Sequence, residues 1–196
     1  MFISPLQNAL LFCITSLSSA YISIVLFRFL LQLVNADFYN PLAQFSVKVT
    51  NPLVQPLRKL IPTVARADLA TLTVALLIQA LGLVIIWAIK GFSISASLTS
   101  LSGLLIWSLG EILDLTLVIL LFATFIQIIA SWLQPGAYNQ AIDIMRQLTA
   151  PLFTPIRRLV PNIGVLDFSP MLVIFLIVFM RLLFADFLIS LGKSII

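Results

Sequence analysis

The side chains able to do chemistry are few. The 196-residue chain has no His and one Cys, Cys13. That excludes Ser-His-Asp and Cys-His catalysis, His metal sites, Cys/His zinc sites and any intrachain disulfide. What remains is 11 Lys or Arg and 7 Asp or Glu. Arg28, Asp114, Arg181 and Asp186 interrupt long apolar runs. An Arg at a bilayer centre costs about 2.5–3.5 kcal/mol on insertion scales, so each such charge must face protein or water or meet an opposite charge. Arg181 lies roughly 16 Å along a helix from Pro170 at about 1.5 Å per residue. Asp186 follows it by five residues, about 140° around a regular helix, so the two do not share a face. Asp114 is the better expected partner for Arg181 or Asp186. Arg28, about 9 Å from the end of its run, is expected to snorkel. Gln32, Gln79 and Gln127 add hydrogen-bonding sites. These groups read as ties between helices, with an ion or proton pathway as the sharper alternative. No constellation calls for a metal or a cofactor.

The elements that must hold these residues follow from composition. Apolar residues make up 61% of the chain and charged residues 9%, against about 25% charged in a soluble domain. Mean hydropathy is +1.17. Four apolar runs, Leu6–Val34, Leu69–Ile89, Ile112–Leu133 and Met171–Leu191, approach or exceed the roughly 20 residues that cross a bilayer. They are continuous rather than alternating, which disfavours a barrel. Met1–Leu11 has no Lys or Arg, so the first run is read as a helix and not a cleaved signal peptide. Its small face, Thr15, Ser16, Ser19, Ala20 and Ser23, is expected to contact another helix. The uncharged, Ser-rich Gly91–Gly110 segment is expected along the outer interface.

Sliding the chain by 99 residues gives an ungapped internal match, with 10 identities over the 30 positions 39–68. The chain is therefore expected to hold two repeats, 1–98 and 99–196. Each comprises a helix, a basic Pro-framed segment and a helix. The expected fold class is an all-α membrane protein: four transmembrane helices as two parallel two-helix repeats, with short amphipathic interfacial helices. Lys48, Arg58, Lys59 and Arg66 fall in the first connecting segment and Arg146, Arg157 and Arg158 in the second, with only Lys90 and Lys193 beyond the opposite ends of the spans. By the positive-inside rule both basic segments are cytoplasmic and both termini periplasmic.

In the first basic block Pro52 and Pro56 are expected to rigidify a helix start or an extended approach to one. Leu53, Leu57, Leu60 and Ile61 then share a face, Arg58 and Lys59 point away, and Pro62 ends the helix. The second block repeats this with Pro151, Pro155, Arg157, Arg158 and Pro161. A separate amphipathic stretch precedes each block: Phe38, Leu42, Phe45 and Val49, then Ala141, Ile144, Met145 and Leu148. Such basic amphipathic segments lie at a membrane surface, where they anchor on lipid headgroups or dock a partner. Asp68 and Asp167 should cap or complement the helices that follow, with Ser169 as cap and Pro170 in first helical position.

These features resemble the YggT (YlmG) family of bacterial membrane proteins, over nearly the whole chain. The Pro-x-x-x-Pro-x-Arg-Lys/Arg-x-x-Pro block followed by Asp is its hallmark and occurs twice. Asp37–Thr50 and the Arg28/Gln32 pair are similar to two-copy proteobacterial members. Gly164–Pro170 keeps the family's Gly-x-x-Asp-x-Ser-Pro pattern, whereas Ala65–Thr71 departs from it. The resemblance implies an inner-membrane protein without catalytic residues. It also implies links to osmotic tolerance, ion homeostasis, division or membrane-complex assembly.

The expected function is that of a non-enzymatic organiser or assembly factor. Its partners would be membrane lipids, a membrane or cytoplasmic protein, or a second copy of the chain. The alternative is a small transporter, channel or ion-flux accessory using Arg181, Asp114 and Asp186. With no basic groove or stacking platform in the sequence, no nucleic-acid partner is expected.

Overall fold

The computed structural model describes residues 4–64, 66–91, 98–133, 139–159 and 168–196. They form α1 (Pro5–Leu33), α2 (Pro41–Arg58), α3 (Leu69–Ile89), α4 (Leu98–Leu133), α5 (Gln140–Leu159) and α6 (Ser169–Met180). A π-helical turn, Arg181–Ala185, then leads without a break into α7 (Asp186–Ile195). Four stretches are long and apolar enough to cross a membrane: α1, α3, Ser100–Trp132 and the continuous Ser169–Ile195. The protein is an all-α membrane protein.

Local chemistry sets the helix ends. Ser4 and Gln7 form a reciprocal capping box at the start of α1, satisfying two amides that have no intrahelical partner. Asn35 ends it in the left-handed region at φ 52°. The Ala36 amide then reaches the Leu31 carbonyl at 2.9 Å and the Asn35 amide the Gln32 carbonyl at 3.2 Å. That is a Schellman closure with Asn in place of the usual Gly. Asn40 caps α2 through the Leu42 amide, and Pro41 occupies the first turn.

Four elements differ from the sequence expectation. Pro52 and Pro56 do not start a helix; they lie inside α2, and Pro151 and Pro155 lie inside α5. Each separate pair of amphipathic stretches is thus one helix. An internal Pro removes a bond to the carbonyl four residues back. Here all four prolines lie on exposed faces, where water or headgroups can satisfy the freed carbonyls. Residues 98–110 are not a surface segment: they extend α4 to 36 residues, while 92–97 lie outside the described residues. Ser169 is the first residue of α6 rather than its cap, and Phe168 in the cap position offers no side-chain bond.

The core is a chain of three apolar clusters. The first joins Ile22, Val25 and Leu26 of α1 to Val54, Val74, Ala75 and Ile112. The second joins Leu30, Leu31, Ala36 and Ala43 to Ala123, Ile144 and Leu148. The third joins Phe153 to Val173 and Ile177. The two halves do not meet through equivalent faces. α3 packs on α4, but α6 makes no comparable contact with α1. Ile144 is fully buried, whereas Phe45, its match 99 residues earlier, is 57% exposed. The inward face of α2 is instead Ala43, Ser46, Thr50 and Val54, which leaves Leu42, Phe45 and Leu53 outward.

The extended end of α4 is covered by α7. A Cβ built on Gly192 would overlap the Trp107 backbone, and one on Gly110 would come within 2.8 Å of the Ile189 amide nitrogen. Backbones this close require residues without side chains, as at small-residue crossings in membranes. Lys193 Nζ lies 4.9 Å from the Trp107 ring centroid, and the Trp107 indole donates to Glu111 at 2.9 Å.

Candidate functional site

The polar groups gather in two places. One is the end of the bundle that carries α2 and α5. Arg28 is buried there and does not snorkel. Its Nη1 donates to Thr50 Oγ1 at 2.6 Å, Asn51 Oδ1 at 3.0 Å and the Val47 carbonyl at 3.4 Å. Reaching water would forfeit these bonds, and α2 lies in the way. Tyr21 adds a long bond to the Val49 carbonyl. A charged donor with several acceptors is a strong tie, so Arg28 fastens α2 to α1.

Arg58 makes a second tie. Its guanidinium bridges to Asp68 through both Nε, at 2.9 Å, and Nη2, and Nη2 also reaches Gln32 Oε1 at 3.1 Å. Asp68 is fully buried. It caps α3 by accepting from the Thr71 amide and from Thr71 Oγ1 at 2.6 Å. Burial pushes the Asp68 carboxyl up, and its bonds to Arg58 and Thr71 outweigh that, holding it below the ordinary carboxylate value. Sequence reasoning gave Asp68 the capping role and Arg58 a docking role. The structure joins the two, and Arg58 still keeps 40% of its side chain exposed. Lys59, Lys48, Pro52, Pro56 and Pro62 remain exposed.

The second repeat answers this network with fewer charges. Gln127, at the position of Arg28, donates to Thr149 Oγ1 and to the Met145 carbonyl. Thr149 stands where Thr50 does. Arg157 lies with its guanidinium carbon 5.2 Å from the Phe153 ring centroid. Arg146, Pro151, Pro155, Arg157 and Arg158 are exposed; Pro161 and Asp167 lie outside the described residues. Two bonds stitch the halves together at this end: the Asp37 amide to Gln147 Oε1 at 3.0 Å, and Asn40 Nδ2 to the Gln140 carbonyl at 2.6 Å.

The other gathering lies within the spans. Arg181 grips Asp114 with two parallel bonds, Nε to Oδ1 at 2.7 Å and Nη2 to Oδ2 at 3.1 Å. This fork geometry ties α4 to the π-helical turn. Asp186 is exposed and makes no ion pair among the described residues. Its amide closes an i to i+5 bond on the Arg181 carbonyl, so the wider turn brings it nearer the Arg181 face than a regular helix would. It stands within electrostatic range of Arg181. Periodicity could not anticipate the π turn. Thr50, Asn51 and Thr149 carry little signal as partners in the sequence, because uncharged hydroxyls and amides are ordinary residues of amphipathic helices. No cluster of metal-ligating side chains occurs among the described residues.

A sequence model of the CCB3/YggT family matches residues 7–89 and again 106–188. The chain belongs to the CCB3/YggT family. A Pseudomonas aeruginosa protein is 43% identical over 165 residues, covering 84% of this chain and 82% of the relative. A Vibrio alginolyticus protein encoded in the proC 3′ region is 37% identical over 185 residues, 94% of this chain and 95% of the relative. Escherichia coli K12 YggT is 32% identical over 191 residues, 97% of this chain and 96% of the relative. All three relatives carry the description uncharacterised. No solved structure matches the chain. The two CCB3/YggT matches begin 99 residues apart, the offset at which Arg28 falls on Gln127 and Thr50 on Thr149.

Proposed function

We propose that this YggT-family protein is a non-catalytic organiser of the bacterial inner membrane. In this reading α2 and α5 lie on the cytoplasmic surface, both termini are periplasmic, and a protein partner docks on the exposed residues of the two helices. The osmotic-tolerance and ion-homeostasis setting comes from the family resemblance. The observation that carries the reading is the double tie on α2. Arg28 and the Arg58–Asp68 bridge hold that helix against α1 and α3, more fixation than lipid anchoring requires. Lys48, Lys59 and the exposed prolines are thereby presented on a rigid frame. Photocrosslinkers at the exposed positions 55 and 154 in cells should capture a protein partner. The pair Lys59→Glu and Arg158→Glu should abolish capture while membrane insertion persists. Unchanged capture and function in that pair would sink the reading.

An ion-flux role is the second reading, supported by the Arg181–Asp114 pair beside a π-helical turn, a feature frequent at functional sites. It requires flux in proteoliposomes that Arg181→Ala alters. Absence of flux under every imposed gradient removes it.

A further inference from the structure

The basic end of the second repeat contains a cavity of about 900 Å³ between the end of α4, the middle of α5 and the start of α6. Its wall includes Gln127, Trp132, Arg146, Phe153, Arg157 and Met171. A smaller space of about 270 Å³ shares Gln127, Arg146, Phe153 and Arg157 and runs on to Thr149.

The first repeat shows what is missing here. There the matching niche is closed: Arg28 is 2% exposed, and Val54, Thr71 and Ala75 are fully buried. They stand at the positions of Gln127, Phe153, Pro170 and Ile174. The second repeat loses the interior cation, since Gln127 replaces Arg28. It gains one on the wall, since Arg146 replaces Val47. Among the described residues Arg146 makes no ion pair. The charge has moved from the core to the rim of an open space.

Both sides of the rim are informative. Arg146 presents a planar guanidinium, which matches phosphate oxygens in pairs, and the Arg157 guanidinium lies against Phe153 on the same wall. Trp132 and Met171 also line the cavity and are 79% and 72% exposed. Trp is favoured at the headgroup level of a bilayer. The cavity thus has a cationic wall and two exposed apolar side chains on its lining.

We propose that this cavity binds the phosphodiester headgroup of one anionic phospholipid from the leaflet on the α2/α5 side, its acyl chains passing over Trp132 and Met171. It draws on the reading above only in setting α5 at headgroup depth.

The test is native mass spectrometry of the full chain titrated with phosphatidylglycerol, phosphatidylcholine or inorganic phosphate. Wild type should retain one phosphatidylglycerol, with phosphatidylcholine about tenfold weaker or more. Arg146→Val, the first-repeat residue, should lose retention by about tenfold. Lys90→Gln, at the opposite end, should bind as wild type. Equal retention by wild type and Arg146→Val, or equal retention of the two lipids, overturns the proposal. Displacement of the lipid by millimolar inorganic phosphate overturns the lipid as ligand and leaves a phosphate site. Loss of protein capture with Lys59→Glu and Arg158→Glu would not touch this result. Loss of lipid in Arg146→Val would not touch protein capture.

Discussion

In the first repeat Arg28 lies inside the bundle and bonds to Thr50 and Asn51. At the matching place in the second repeat Gln127 bonds to Thr149. In the middle of the spans the pattern reverses. Arg181 and Asp114 pair there, and their first-repeat matches are Gly82 and Thr15. One unit carries its fixed charge at the basic end and the other carries it in mid-span. The two copies share a frame, and their buried charges sit where local acceptors meet them. A buried cation is tolerated by local hydrogen bonds and not by its position in a shared motif.

Exchanging residues between the copies tests this contrast. Asp114→Ala should give the largest effect, about 3 kcal/mol lost, because Arg181 is left uncompensated among apolar helices. The double change Asp114→Thr with Arg181→Gly installs the first-repeat residues and should recover most of that loss. Equilibrium unfolding in detergent reads both, and a double variant no better than the single one would mean the pair is not a self-contained unit. The glycines come next. Gly192→Ala should cost about 2 kcal/mol by overpacking, since its Cβ meets the Trp107 backbone. Gly82→Ala should stay within about 0.5 kcal/mol, since its Cβ meets only Ser18, at 3.8 Å. Equal shifts in melting temperature would contradict the close crossing of α4 and α7. Arg28→Gln, copying the second repeat, should have a smaller effect, about 1–2 kcal/mol, because Gln can keep one of the bonds. Faster proteolysis within α2 than within α5 is its local signature.

Four spans and the repeat were legible because both are written in long patterns: apolar length and a fixed offset. The pairing of Arg181 with Asp114 was legible because intramembrane charges are so few that partners are scarce. The joined helix α2 was not, because Pro52 and Pro56 read locally as start signals, and only the exposed face they share makes them tolerable inside. The length of α4 was hidden for a different reason. Its first turns are Ser- and Gly-bearing and become a helix packing surface only against α7. The role of Arg58 was half visible: its charge was plain, but its bond to Asp68 depends on how the chain turns between α2 and α3.

The π-helical turn at Arg181–Ala185 changes how the two copies should be compared. An i to i+5 turn takes up one residue more than a regular one. The sequences stay aligned at 99 throughout, yet beyond Ala185 the spatial match drifts toward an offset of about 100. One residue is about 100° of rotation. An alignment of the copies is therefore a reliable map of which face a residue takes only as far as that turn. Beyond Ala185, mutational results transferred from the first repeat should be shifted by one position before they are compared.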